Sequence, residues 1–161
     1  MQQAVALFLD RLFAALDADG LDVSAFELDH VCYRVADQQS YEVVCAQLAA
    51  KGELLSATLI AGRPISTFQL HAPLVYRERR IGVIEVPAPK PGSPYPEGFE
   101  HAEFVVPEDL RTFIARHPSL AWDLSDLDKP INGDVRLRYD GFSVKFHRQA
   151  LAYVIAHLDP R

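Results

Sequence analysis

The stretch Asp29-His30-Val31-Cys32-Tyr33-Arg34-Val35 returns later in the chain as Glu100-His101-Ala102-Glu103-Phe104-Val105-Val106, with an acid, a histidine, an aromatic residue and a valine at the same offsets. Each copy is rich in β-formers, so each reads as a strand, the first from Leu28 to Val35 and the second opening at Glu100. A helix signal follows both. Asp37 or Ser40 caps a helix with Tyr41, Val44, Cys45 and Leu48 on its apolar stripe, and Gly52 is expected to take a left-handed stop conformation. Pro107, with Glu108 and Asp109 behind it, opens the second helix.

Three strands are then expected in each half. In the first they are Glu53 to Ile60, Ile65 to His71 and Ile81 to Val86, separated by Gly62-Arg63-Pro64 and by the charged turn Tyr76 to Arg80. In the second they are Ala121 to Leu124, Val135 to Tyr139 and Phe142 to His147, with Asp140-Gly141 as a hairpin turn. The repeat therefore predicts a single α/β (α+β) domain of two tandem βαβββ modules, 28–87 and 100–147, forming a curved mixed sheet around a cavity. Five prolines in PAPKPGSPYP make 88–99 a stiff connector. An N-terminal helix within 1–20 carries Val5, Phe8, Leu9, Leu12, Phe13 and Leu16 at helical spacing, and a C-terminal helix within 148–161 carries Leu151, Val154, Ile155 and Leu158. Both are expected to pack outside the modules.

Composition sets the outer limits. In 161 residues, 49% are hydrophobic and 24% charged, the profile of an ordinary soluble globule. Sixteen basic against 22 acidic residues leave a net charge of −6, which offers no basic field for nucleic acid or an anionic membrane. The expected partner is a small molecule, with monomer and homodimer both open. The start MQQAVALFLD has no basic n-region, no apolar run is long enough to span a membrane, and two lone cysteines, Cys32 and Cys45, suit a reducing compartment. These features predict a cytoplasmic protein. P-loop, GxGxxG, GxSxG and HExxH motifs are absent.

Side chains alternate across a strand, so parity sorts residues by sheet face. Asp29, Val31, Tyr33 and Val35 fall on one face of the first strand, and His30, Cys32 and Arg34 on the other. His101 of the second module, Thr67, Gln69 and His71, and Ser143, Lys145 and His147 join the polar face, which gathers four of the six histidines. Glu85 is the one charge in the apolar run at 81–86, and a carboxylate there needs a partner. Two readings stand. His30, Glu85 and His101 form the two-histidine, one-carboxylate set that holds a divalent ion with open positions. Alternatively, each histidine is hydrogen-bonded and Glu85 pairs with Arg34, Lys145 or Arg138. Cys32 shares the polar face but reads as a buried thiol, Arg77, Arg79 and Arg80 read as a solvated loop, and His117 and His157 as helix-end residues.

The tandem βαβββ pattern, with a histidine opening each module and a glutamate strand ending the first, resembles the vicinal oxygen chelate superfamily of glyoxalases, epimerases and extradiol dioxygenases. More narrowly, GELLSATLIAGRPISTFQLHAPL at 52–74, IEVPAPKPGSPYPEGFEHAEFVV at 84–106 and SVKFH at 143–147 resemble the YecM-like family, proposed to be metal-binding enzymes. The likeness runs from about Asp29 to His147. It implies metal ligands His30, Glu85 and His101 for a divalent ion, with Fe, Mn, Zn and Ni not distinguished. When VIEVP is laid on SVKFH, Lys145 falls in the fourth ligand slot. An ammonium cannot ligate a cation, so three ligands remain, and Lys145 is expected to hold an anionic substrate or stabilise an enolate. His71 is expected as a replacement ligand or acid/base group, and Arg34, Gln69 and His147 as substrate-binding residues. The implied function is a metal-dependent isomerase, epimerase or dioxygenase-like enzyme acting on a small anionic or vicinal-oxygen molecule; the alternative is a non-catalytic binding or sequestering module.

Overall fold

The computed structural model describes residues 1–60, 62–92 and 95–158. Residues 93 and 94 of the expected connector and 159–161 of the expected C-terminal helix lie outside these. The order is α1 (Gln2–Ala18), β1 (Glu27–Arg34), α2 (Gln38–Ala49), β2 (Gly52–Ile60), β3 (Arg63–Tyr76), β4 (Arg79–Pro87), β5 (Gly98–Val105), α3 (Leu110–Ala115), β6 (Asp134–Tyr139), β7 (Phe142–His147) and α4 (Leu151–His157). The seven strands form one curved, unclosed mixed sheet in the order β2-β3-β4-β1-β5-β7-β6. None of these helices is long and apolar enough to cross a membrane.

Each half repeats one arrangement. β1 runs parallel to β4 with Cys32 opposite Glu85, and β5 runs parallel to β7 with Glu103 opposite Lys145. The halves meet at the antiparallel β1–β5 pair, centred on Val31 opposite Ala102. The second half lacks one full strand. The expected strand at Ala121 to Leu124 is reduced to a single bridge from Asp123 to Arg136, because Trp122 packs inward against Phe113 and Phe146 and its indole N–H donates to the His117 carbonyl, 3.0 Å. That half is therefore βαββ with a one-residue edge.

One sheet face carries the apolar core. All six predicted α1 residues are buried on it, with Val31, Val35, Ala102, Phe104 and Val106 from the strands. Phe104 stacks on Phe146 at 5.7 Å and meets Phe13 edge-on at 6.0 Å. The Asp37 carboxylate caps α2 by accepting from Ser40 N, 2.7 Å, and Asp109, not Pro107, caps α3 by accepting from Thr112 N, 3.0 Å. Gly52 stops no helix. It begins β2, where a Cβ would lie 2.3 Å from the Gln69 carbonyl oxygen, so close strand approach is what requires glycine there. Arg79 is not solvated either, since its guanidinium donates to the Phe26 and Val23 carbonyls at 2.6 and 2.7 Å.

The terminal helices part company. α1 covers the core face, whereas Leu151 and Val154 of α4 line the cavity on the opposite face, and Leu151 N donates to Asp29 Oδ2, 2.9 Å. Of its four expected apolar contacts only Val154 is buried, because α4 edges the cavity and does not join the core. Replacing fully buried Phe104 by alanine is expected to cost roughly 3–5 kcal/mol in urea unfolding, with little change in the far-UV circular dichroism of the folded state.

Candidate metal centre

Two register shifts build the site. Along β1, Leu28 pairs with Phe104 and His30 with Glu103, so Asp29 is an extra residue; along β5, Cys32 pairs with His101 and Tyr33 with Phe99, so Glu100 is extra. An extra residue breaks the alternation, so Leu28 and His30, like Phe99 and His101, fall on opposite faces, and the extra residue shares a face with its histidine. Asp29, expected among the core residues by parity, therefore turns to His30, and Glu100 turns to His101. His30 Nδ1 is 2.7 Å from Asp29 Oδ2 and His101 Nδ1 is 2.6 Å from Glu100 Oε2. With each Nδ1 donating to its carboxylate, Nε2 is the ring atom that faces the cavity; it carries a proton toward Glu103 in the imidazolium and becomes a ligand atom when that proton is lost.

Those two Nε2 atoms are buried and have no hydrogen-bond partner among the described residues. Between them stands Glu103, whose Oε1 is 3.4 Å from His30 Nε2 and 3.2 Å from His101 Nε2. Bonds of about 2.0–2.1 Å from an ion to such ligands put neighbouring donor atoms roughly 3.0–3.4 Å apart, so the spacing of this set fits a first-row divalent ion. Three overlapping groups of donors lie close enough to hold a metal: His30, His101 and Glu103; Cys32, Glu85 and His101; and Asp29, His30 and His147. The last differs in the tautomer of His147, although His147 Nε2 is likewise buried without a hydrogen-bond partner among the described residues. Asn132 donates to the Gln149 carbonyl and accepts from Gln149 N, which fixes its amide orientation and makes its Nδ2 the donor to His147 Nδ1, 3.1 Å. His147 then carries its proton on Nε2, 3.2 Å from Asp29 Oδ2, and is not a ligand in that tautomer. Its Nδ1 also lies 3.4 Å from Glu103 Oε2.

Charges inside the cluster are strongly coupled. Burial alone would lower the pKa of His30, but Glu103 and Asp29 outweigh it and raise it to about 10. Burial would raise Glu103, yet Lys145 and His30 hold it well below the usual carboxylate range. Burial likewise opposes the Lys145 charge, and Glu103, 2.8 Å from its Nζ, keeps it an ammonium. Burial pushes the Cys32 thiol up.

The cavity holding these groups has a volume of about 510 Å³. Among the sequence-predicted residues, His30, Glu85, His101, Lys145, Arg34 and His147 line it. Glu85 is half-buried, with Oε1 4.0 Å from His101 Nε2. None of its three suggested cationic partners pairs with it, because Arg34 lies 3.2 Å from Glu100, Lys145 is on Glu103 and Arg138 is on Asp123. His71 and Gln69 are not in the cavity. Parity places a residue on a face but not along the strand: Thr67 is the β3 residue opposite Glu85, His71 sits four residues further on and is exposed, and Gln69 binds the Gly82 carbonyl at 3.1 Å in a separate cleft. Of the two expected helix-end histidines, His117 packs on Phe113, and exposed His157 stacks on Tyr153.

A family model described as YecM protein matches residues 1–157. The chain belongs to the YecM family. Protein YecM of Escherichia coli strain K12 is 34% identical over 125 residues, 75% of this chain and 66% of that protein. An uncharacterized protein of Haemophilus influenzae Rd is 36% identical over 101 residues, 60% of this chain and 52% of that protein. The matches thus span between half and two thirds of these relatives' length. Among solved structures, the structural-genomics protein EC4020 superposes with a TM-score of 0.78 at 27% identity, covering 98% of this chain and 92% of its own. Hypothetical protein BH1468 from Bacillus halodurans C-125 shares the fold, with a TM-score of 0.54 at 17% identity over 77% of this chain and 94% of its own.

In this YecM-family chain, parity missed Asp29, Glu100 and Asn132, but Glu103 had a readable signal as the single acid in the apolar run 102–106, two residues from His101 and on its face. The Glu100 carboxyl is held down to about 2 from an ordinary 4.5: burial opposes this, and His101 and Arg34 outweigh it. Its stabilising contribution is complete above about pH 4.5 and is lost as pH falls toward 2. In urea titrations of EDTA-treated protein between about pH 5 and about pH 2.5, stability should therefore fall more steeply for wild type than for Glu100→Gln. Equal slopes would mean that Glu100 gives His101 no support.

Proposed function

We propose that this YecM-family chain is a divalent-metal-dependent enzyme of the vicinal oxygen chelate type, acting on a small molecule, with His30, His101 and Glu103 as its ligand set and Glu85 as the adjoining carboxylate. The observation that carries this reading is the pair of buried, unpartnered Nε2 atoms flanking Glu103 Oε1. Burying a polar atom without a partner costs about 1–3 kcal/mol, and here the cost falls twice at one point. An ion that displaces the Nε2 protons and takes both lone pairs would remove it. Iron, manganese, zinc and nickel all suit imidazole with carboxylate.

A bound ion supplies Lewis acidity toward a carbonyl or two vicinal oxygens. The chain's own residues supply the rest. Asp29 and Glu100 hold the two rings in one tautomer. Lys145, kept protonated by Glu103, is suited to stabilise a developing enolate and unsuited to act as a base. Glu85 has no lysine or arginine within ion-pair distance among the described residues, which leaves it free to take a proton from carbon next to a carbonyl. These roles favour isomerisation or epimerisation over ring cleavage. The free thiols Cys32 and Cys45 suit a cytoplasmic setting. A second reading, a module that binds a small molecule without converting it, is favoured by the Lys145–Glu103 ion pair, which neutralises Glu103 without a metal.

Elemental analysis of protein purified without a metal-affinity tag should find about one transition-metal ion per chain, with most of it lost in His101→Ala and Glu103→Gln while far-UV circular dichroism is unchanged. Wild-type protein that neither carries nor takes up iron, manganese, zinc or nickel overturns the proposal. If Glu103→Gln keeps the ion and Glu85→Gln loses it, Glu85 is the ligand. Deuterium wash-in next to a carbonyl separates the enzyme from the binding module, and oxygen consumption with catechols tests ring cleavage.

A further inference from the structure

The cavity is lined by six lysine and arginine side chains against three carboxylates, in a chain whose net charge is −6. Composition therefore does not account for the excess. Internal pairing uses only part of it: Lys145 is held by Glu103, Lys129 lies 2.9 Å from Asp126, and Arg34 lies 3.2 Å from Glu100 while stacking on Tyr95 at 4.2 Å. Arg63, Lys90 and Arg136 have no acidic partner within 4 Å among the described residues. Arg63 gives one donor to the Ala88 carbonyl, 2.9 Å, and a guanidinium has four more.

Arg136 is the most telling of the three. It is half-buried and stands directly across from Lys145 in the β6–β7 ladder, so two like charges face each other where cross-strand repulsion is destabilising. In the first half the matching position beside Glu85 is Thr67, which is neutral. A divalent ion at His30 and His101 would add further positive charge to the same space. An anion lying between the histidines and the arginines would relieve the excess.

We infer that the substrate carries an oxyanion, a carboxylate or a phosphate, which Arg136 and Arg63 bind with Lys90 at the rim, while its reacting end faces His30 and His101. This inference rests on reading the cavity as the metal-dependent site and names its substrate class. Both halves contribute to the anion site, Arg63 and Lys90 from the first module and its connector and Arg136 from the second. The guanidinium fork matches either oxyanion in two-point contact, and a cavity of about 510 Å³ limits the molecule to metabolite size.

Isothermal titration of wild-type protein with inorganic phosphate and with succinate tests this, run on metal-loaded and on EDTA-treated protein. At least one of the two anions should bind, more weakly as salt is raised, and Arg136→Gln and Arg63→Gln should each weaken binding about tenfold or more with metal content unchanged and, for Arg136→Gln, a melting temperature that does not fall. Exposed Lys90→Gln, which carries no folding risk, should weaken it less. Which anion binds separates a carboxylate from a phosphate substrate. If neither binds, or all three variants bind like wild type, the inference is overturned even where the ion is retained. Arginine-dependent anion binding by a chain that never takes up metal would uphold the anion site and overturn the metal reading.

Discussion

The antiparallel pairing of β1 with β5 is the constraint on which the rest of this structure depends. It joins the two halves of the sheet, and its two single-residue register shifts, at Asp29 and Glu100, turn an acid–histidine doublet from each half onto one face. Without the shifts, alternation would send both acids toward the apolar core, where an unpaired carboxylate costs several kcal/mol (order of magnitude). With them, each acid orients the ring of its neighbour, and the two Nε2 atoms converge on Glu103. The core on the opposite face is undisturbed, because Val31 and Ala102, between the two shifts, keep their inward direction and remain fully buried.

The two halves use the same frame for different chemistry. Cys32 and Glu103 occupy matching places two residues beyond the histidines, as do Glu85 and Lys145 on the flanking parallel strands and Thr67 and Arg136 beyond those. One half presents a thiol, a carboxylate and a hydroxyl; the other presents a carboxylate, an ammonium and a guanidinium. A duplicated scaffold thus yields an asymmetric pocket to which both halves contribute carboxylates and cations. Buried charge of this kind is weak support for stability, since desolvation takes back most of what pairing returns. It is concentrated around two imidazoles whose Nε2 atoms have no hydrogen-bond partner among the described residues.

Much of this architecture is legible in the amino-acid sequence. The repeated acid–histidine strand leads to tandem modules, the α1 stripe and the β7 limits of Phe142 and His147 follow from local spacing, and parity puts His30, Cys32, Arg34, Lys145 and His147 on the cavity face. The misplacements have two physical sources. Each register shift shows only as core residues spaced three apart, Leu28 with Val31 and Phe99 with Ala102, and that break alone does not assign Asp29 and Glu100 as orienting groups. Parity also says nothing of distance along a strand, which is why His71 sorts with the site by face and is in fact exposed beyond it. The strand around Trp122 fails for a third reason, since an indole packed between Phe113 and Phe146 outweighs local strand preference.

Sequence by itself determined the repeat, the apolar faces and the kinds of ligand-forming residues, because these follow from local spacing and side-chain chemistry. Only the tertiary structure decided which carboxylate stands between the two histidines, which nitrogen of each ring faces the cavity, and which cations have no acidic group within 4 Å among the described residues. Those are differences of an ångström or two among groups far apart in the chain. They are set by strand register and by competition for charge, and neither is encoded in any single segment.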